Sequence, residues 1–208
     1  MLSGLVAWVQ EVVGAFGPVG VAALVVLENL FPPIPSEVIL PFAGFSASGD
    51  VGEFLLMLLA ATVGSTIGSL ILYYVAVLLG RDRLERLVGR FGRFFGVSLA
   101  DFHKSERWFT SRAKAAVLLG RCVPIVRSLV SLPAGFCRMN LVSFTVLSFL
   151  GSLVWNAALI GAGSLLGANW EKVEPVISAY QYVVLALFAS LVLFFLIRHR
   201  TQRVKGSE

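Results

Sequence analysis

The sequence predicts an all-α integral membrane protein. It is read as an inverted repeat of a re-entrant helical hairpin plus a transmembrane helix, with an additional C-terminal transmembrane helix. Three observations carry that prediction. Residues 54–80, 139–170 and 175–197 contain no Asp, Glu, Lys or Arg, and each run meets the ~20 apolar residues that a membrane-crossing helix needs. Two other apolar stretches, 12–49 and 113–138, are interrupted by prolines and charges. Short motifs of the first half recur in the second at a fixed offset.

Composition sets the outer limits. Of 208 residues, 57% are hydrophobic and 14% charged, against roughly 25% charged in a soluble domain. This excludes a disordered chain, a disulfide scaffold and a multidomain soluble enzyme, and it points to a single membrane domain over 1–208. The net charge is +5, and its placement says more than its size. Eight of the 17 basic residues lie between Arg81 and Arg112, and four more lie from Arg198 onward. Basic clusters flanking apolar spans mark cytoplasmic loops, so no nucleic-acid site is read from them. Arg81 is the first basic residue of the chain; residues 1–20 therefore lack the basic region of a cleavable leader and are expected to stay in the mature protein.

Taken in order, repeat 1 covers 12–80. Its hairpin holds the string ENLFPPIPSE, which places Glu28, Pro32, Pro33, Pro35 and Glu37 at membrane depth. Three prolines in four positions stop a helix, and broken backbone survives in a membrane only against protein or water, so the stretch is expected to turn back. The span 54–80 then runs from acidic Asp50 and Glu53 to Arg81, Arg83, Arg86, Arg90 and Arg93, that is, from outside to inside. Residues 81–112 are expected to form a cytoplasmic amphipathic segment, helical towards its end after the capping-type pair Ser98 and Asp101. Repeat 2, 113–167, opens with a hairpin entering from inside, with Arg121, Pro124, Arg127 and Pro133 in apolar surroundings. Its span leads to Glu171, Lys172 and Glu174; the helix 175–197 returns to the basic tail 198–208, which puts the C-terminus inside.

The two halves share residues as well as layout. Pro33, Ile34, Ala43, Gly44 and Phe45 correspond to Pro124, Ile125, Ala134, Gly135 and Phe136, all 91 positions apart, while Gly64, Ser65 and Gly80 correspond to Gly151, Ser152 and Gly167. Because the copies are expected to enter from opposite faces, the repeat is inverted, an arrangement found in transporters. Gly64 and Gly68 form a small-xxx-small pair suited to close approach of the 54–80 span to a hairpin.

Charge within the repeat points to function. One hairpin brings Glu28 and Glu37, the other Arg121 and Arg127, and opposite charges are expected to meet near the midplane. Four unshared charges there would cost on the order of 10 kcal/mol, so pairing or a wet cavity is required. Two salt bridges that lock the hairpins together would satisfy this, as would a substrate path. Buried pairs add little to stability and intramembrane charges usually line a path, which favours the second. Arginine's fork matches phosphate oxygens, and a carboxylate beside it can exchange a proton when its partner leaves. Asn29 and Ser36, beside the two acids, suit capping of half-helices or hydrogen bonding to a headgroup; Asn156, next to Trp155, suits either the cavity or packing. Cys122, Cys137, His103 and His199 make no metal set or catalytic dyad, and no cofactor is expected.

The strings ENLFPPIPSE and GRCVPIVR, with Ala134 and Gly135, resemble the motifs of the DedA family of bacterial membrane proteins, part of the VTT-domain superfamily that reaches eukaryotic SNARE-associated Golgi proteins. The resemblance covers about residues 10–170. It implies a lipid transporter of the bacterial inner membrane that returns undecaprenyl phosphate to the inner leaflet, draws on proton motive force and supports the cell envelope. The family's important acids and arginines fall on Glu28, Glu37, Arg121 and Arg127, as proton-coupling and substrate-binding groups. A proton-coupled transporter of a small anion and a non-transporting envelope assembly factor stay open, and an enzyme is least expected. The implied partners are a lipid with a phosphate headgroup and protons; a homo-oligomer is compatible with all three.

Overall fold

The computed structural model describes residues 2–31, 36–81, 83–86, 89, 99–124 and 126–166. The expected turn prolines Pro32, Pro33 and Pro35, the expected cap Ser98, the C-terminal helix 175–197 and the tail 198–208 lie outside the described residues. The described chain is helical and contains no strand: α1 (Leu2–Leu30), α2 (Ser36–Ser46), α3 (Val51–Leu79), α4 (Leu99–Gly120), α5 (Val126–Leu129), α6 (Ser131–Phe136) and α7 (Leu141–Leu166).

Among the described residues, three helices are long and apolar enough to cross a membrane: Ala7–Leu30, Val51–Leu79 and Leu141–Leu165. The second covers nearly all of the charge-free run 54–80, and the third lies within the run 139–170. The first falls where the sequence places a hairpin arm. Length alone permits it to cross, but α1 is broken at Gly17, whose φ of 53° is left-handed, just before Pro18. Beyond the break, the part 18–30 rises only ~20 Å. α3 begins with Asp50 as N-cap, its carboxylate accepting from the amides of Gly52 (2.7 Å) and Glu53 (3.2 Å), which satisfies two of the free N–H groups of the first turn.

α3 shows how a membrane helix sorts its faces. Leu55, Leu59, Val63, Ile67 and Ile71 form an exposed stripe at every fourth position, while Thr62, Ser65, Thr66 and Ser69 are buried. The hydroxyls of Thr62 and Thr66 bond back to the carbonyls of Leu58 and Thr62, each at 2.7 Å, so the polar atoms need no water. The apolar stripe is left for lipid, and helix association rests on small and polar residues.

α3 and α7 pack antiparallel, through the contacts Tyr73 with Phe144, Ser65 with Ser152 and Thr62 with Asn156. α1 and α3 run parallel: Gly64 abuts Ala22, and a Cβ on Gly68 would lie 2.7 Å from that of Asn29. Two helices that run parallel require the chain between them to return, and α2 lies on that return. The end of α1 lies beside Gly68, so it stops about eleven residues, or ~16 Å, short of the far end of α3.

α2 and α6 each pack against a long helix from the other half of the chain. On α2, Gly44 lies against the Ile160 backbone of α7, and Gly163 of α7 against the Pro41 backbone; on α6, Gly135 lies against the Tyr73 backbone of α3. The residues in these contacts are related by the sequence offsets noted above: Gly44 and Gly135 lie 91 positions apart, and Tyr73 and Ile160 lie 87 apart, the offset that also relates Gly64 to Gly151. Ser65 and Ser152, equivalent to each other, share a hydrogen bond of 3.0 Å. α4 bends at Arg112, so residues on both sides of the expected boundary at 112–113 belong to one kinked helix. Pro133, expected at a turn, is instead inside α6; it sits in the first turn, where an N–H has no intrahelical acceptor and proline costs little.

Candidate functional site: a buried glutamate–arginine pair between the two halves

α1 and α5 bring Glu28 and Arg127 together. Glu28, in the last turn of α1, and Arg127, in the single turn of α5, form an ion pair between halves of the chain. Both are buried, at 3% and 5% exposure. One Glu28 oxygen takes the guanidinium, while the other has no hydrogen-bond partner among the described residues. Of the four charges expected to meet, Glu28 and Arg127 are brought together.

Arg121 is placed differently. It is the largest fully buried side chain among the described residues, at 1% exposure, and no carboxylate pairs with it there. Its guanidinium donates to the Arg127 carbonyl oxygen (2.7 Å), to the Ser131 hydroxyl (2.9 Å) and to that of Ser148 (3.1 Å), and lies 5.7 Å from the centre of the Phe144 ring. α4 ends at Gly120 because the chain must turn at 121–124, with Pro124 in that turn. Arg121 ties the start of the turn to the carbonyl of Arg127 and to α6 and α7. It therefore fixes the backbone that presents Arg127, and its fixed charge is met by oxygen acceptors and an aromatic face.

The remaining expected residues flank Glu28. The Asn29 amide donates to the Val25 carbonyl (2.9 Å), leaving its side-chain oxygen without a partner. The Ser36 hydroxyl is buried and has no partner among the described residues, so it makes no cap on the described part of α2. Glu37 is partly buried in the first turn of α2, and among the described residues it makes no ion pair. Asn156 donates to Thr62 (3.2 Å), and its oxygen is unpartnered, as is the Trp155 ring nitrogen. Cys122 and Cys137 are free thiols. Among the described residues, no three His, Cys, Asp or Glu side chains come together as metal ligands.

Sequence reasoning missed Ser131, Ser148 and Phe144, the groups that hold Arg121. The signal was a hydroxyl in each of two apolar runs, which also suits simple packing. The geometry pairs an exchangeable carboxylate with a permanent cation away from water, beside unpartnered polar atoms. Such a site can accept an anion by opening the pair, at which point the carboxylate loses the partner that keeps it charged.

Comparison with known proteins gives a consistent family. The VTT domain matches residues 34–165. A protein of Lactococcus lactis subsp. cremoris named alkaline phosphatase-like protein is 46% identical over 85% of this chain and 83% of its own length. Undecaprenyl phosphate transporter A of Staphylococcus aureus is 34% identical over 95% of this chain and 98% of its own. The Bacillus subtilis protein of the same name is 28% identical over 97% and 96%. No solved structure matches the chain.

Proposed function

Starting from a chain that belongs to the VTT-domain family, the group that includes the DedA proteins, we propose that it is a transporter that moves a lipid phosphate across the bacterial inner membrane. Undecaprenyl phosphate is the first candidate and the proton gradient the driving force. The observation that carries this reading is the Glu28–Arg127 pair, buried between the halves. A phosphate competes with Glu28 for the Arg127 guanidinium, whose fork fits phosphate oxygens in a bidentate way. Glu28 then takes up a proton, because a buried carboxylate without its cation favours the neutral form. Release reverses both steps. Arg121 holds the turn, and Asn29, Ser36 and Glu37 offer polar groups to the headgroup and to the proton.

The parallel course of α1 and α3 supports reading 18–46 as a re-entrant hairpin, and the reciprocal contacts of Gly44 and Gly135 support the inverted repeat. The basic residues at the end of α3 support a cytoplasmic location for that end and, by the same rule, for the C-terminus. The names of two relatives agree with the substrate class. The phosphatase-like name of another relative favours a second reading, hydrolysis of a phosphate ester. One assay separates them: proteoliposomes containing a labelled undecaprenyl phosphate are followed for exchange between leaflets and for release of inorganic phosphate. Exchange without release is expected; release without exchange would replace the transporter with a hydrolase.

A further inference from the structure

A second concentration of charge lies at the basic end of α3, apart from the buried pair. A cavity of about 590 Å³ opens between that end, α4 and the end of α6, within the ~300–1,000 Å³ usual for small-ligand sites. Its lining includes Arg81, Arg83, Arg86 and Arg138, and one acid, Glu106. Basic residues at the end of a span are ordinary anchors, but three features exceed that role. First, the guanidinium groups come from two separate parts of the chain and share one concavity, in which Glu106 holds Arg81 at 3.0 Å. Among the described residues, Arg83 and Arg138 have no acidic partner.

Second, Arg138 occupies a position that glycine fills by default. The Arg138 amide bonds to the Gly135 carbonyl and the Met139 amide to that of Ala134, each at 3.0 Å, the paired bonds of a Schellman turn at the end of α6. The residue at its centre must be left-handed, and Arg138 has φ 48°. Its side chain is exposed, so burial does not explain an arginine there. Third, the cavity lining is packed against the residues that surround Arg121. Ala76 and Gly135 line it, Gly135 abuts Tyr73, and Tyr73 stacks at 4.8 Å on Phe144, the ring beside Arg121.

We propose that this cavity is a docking site for a phosphate monoester or diphosphate group, clamped by Arg83 and Arg138 with Arg81 held in place by Glu106. It rests on the lipid-phosphate reading above and adds to it a peripheral station where the headgroup is held before or after passage. The same chemistry would take free phosphate, and the test separates the two.

The full chain in detergent is titrated with inorganic phosphate and with a short-chain prenyl monophosphate, as wild type, Arg138→Gly and Arg83→Gln. Arg138→Gly suits the turn better than the native residue, so it should melt at or above the wild-type temperature. Each variant should nevertheless bind more weakly, by about tenfold for every charge-assisted hydrogen bond that the substitution removes. Saturation by the prenyl phosphate alone identifies a lipid headgroup site; equal binding of both probes identifies a phosphate site. Wild-type affinity in both variants, or no binding by the wild type, overturns the proposal. Transport measured on the same samples keeps the claims apart. A chain that binds the probes and moves no lipid loses the transporter reading and keeps this site; one that transports while both variants bind normally does the reverse.

Discussion

Gly44→Ala tests the contact by which one half of the chain grips the other. A Cβ at position 44 would overlap the Ile160 carbonyl oxygen and lie 2.7 Å from its carbonyl carbon, where carbon atoms sit at about 3.5–4 Å. The obstructing atoms are backbone, so no rotamer relieves the clash and α2 must move from α7 by ~1 Å, which removes a quarter to half of the dispersion attraction across the contact. Overpacking of this kind costs about 1–3 kcal/mol. At ~2–4 °C per kcal/mol for a chain of this size, the melting temperature should fall by ~2–12 °C. Gly135→Ala, at the equivalent contact with Tyr73, should do the same, although there one neighbour is the Ala76 methyl at 2.6 Å. Gly161→Ala is the control, since nothing lies within 4 Å of its Cβ. Thermal melts of the purified protein followed by circular dichroism supply the readout. If Gly44→Ala and Gly135→Ala melted with the wild type and Gly161→Ala, the reciprocal packing would be wrong.

Further predictions concern the charges and the path of the chain. Glu28→Gln should destabilise by ~3–5 kcal/mol because it leaves Arg127 charged and unpaired, and adding Arg127→Gln should recover part of that loss in a double-mutant melting cycle. Arg121→Lys, though still cationic, cannot reach the Arg127 carbonyl, Ser131 and Ser148 together; it should lower both stability and transport, with Ser148→Ala costing only ~0.5–1.5 kcal/mol. Folded Glu28→Gln and Glu37→Gln should move lipid slowly and ignore an imposed pH gradient, and wild-type gradient dependence in both would make the carboxylates structural. If the stretch 12–49 turns back inside the membrane, cysteines placed near Gly17 and near Asp50 should label from the same side; labelling from opposite sides would make it a full span.

What the sequence discloses follows from what a membrane demands. A span in lipid must be free of charge through its middle, so α3 and α7 stand out by the uncharged runs 54–80 and 139–170. A charge within such surroundings must find a counter-charge or polar acceptors, so a meeting of the acids Glu28 and Glu37 with the arginines Arg121 and Arg127 is the natural expectation, and one such pair forms. Which arginine takes an acid is not legible, because it depends on the turn at 121–124. That turn directs Arg121 to Arg127, Ser131 and Ser148, and serines among apolar residues carry no mark that separates an arginine cage from packing. The break at Gly17 is similarly ambiguous: Gly-Pro reads equally as a kink or as the start of a hairpin arm. The cavity beside Arg138 is hidden in the sequence because the anchoring of spans by basic residues leaves the same composition as a basic pocket. The packing role of Gly44 requires the register of two distant helices.

If a phosphate headgroup crosses by displacing Glu28 from Arg127, transport must depend on the shape of the Arg127 side chain and not only on its charge. Leaflet exchange of labelled undecaprenyl phosphate is therefore to be compared in proteoliposomes containing wild-type or Arg127→Lys protein, each first shown to be folded and monodisperse. Exchange by the wild type should stand well above that of protein-free vesicles and should be lost in Arg127→Lys, where the charge remains but the bidentate fork is gone. Exchange at the wild-type rate by the folded lysine variant, or none above background by the wild type, would refute displacement at Arg127.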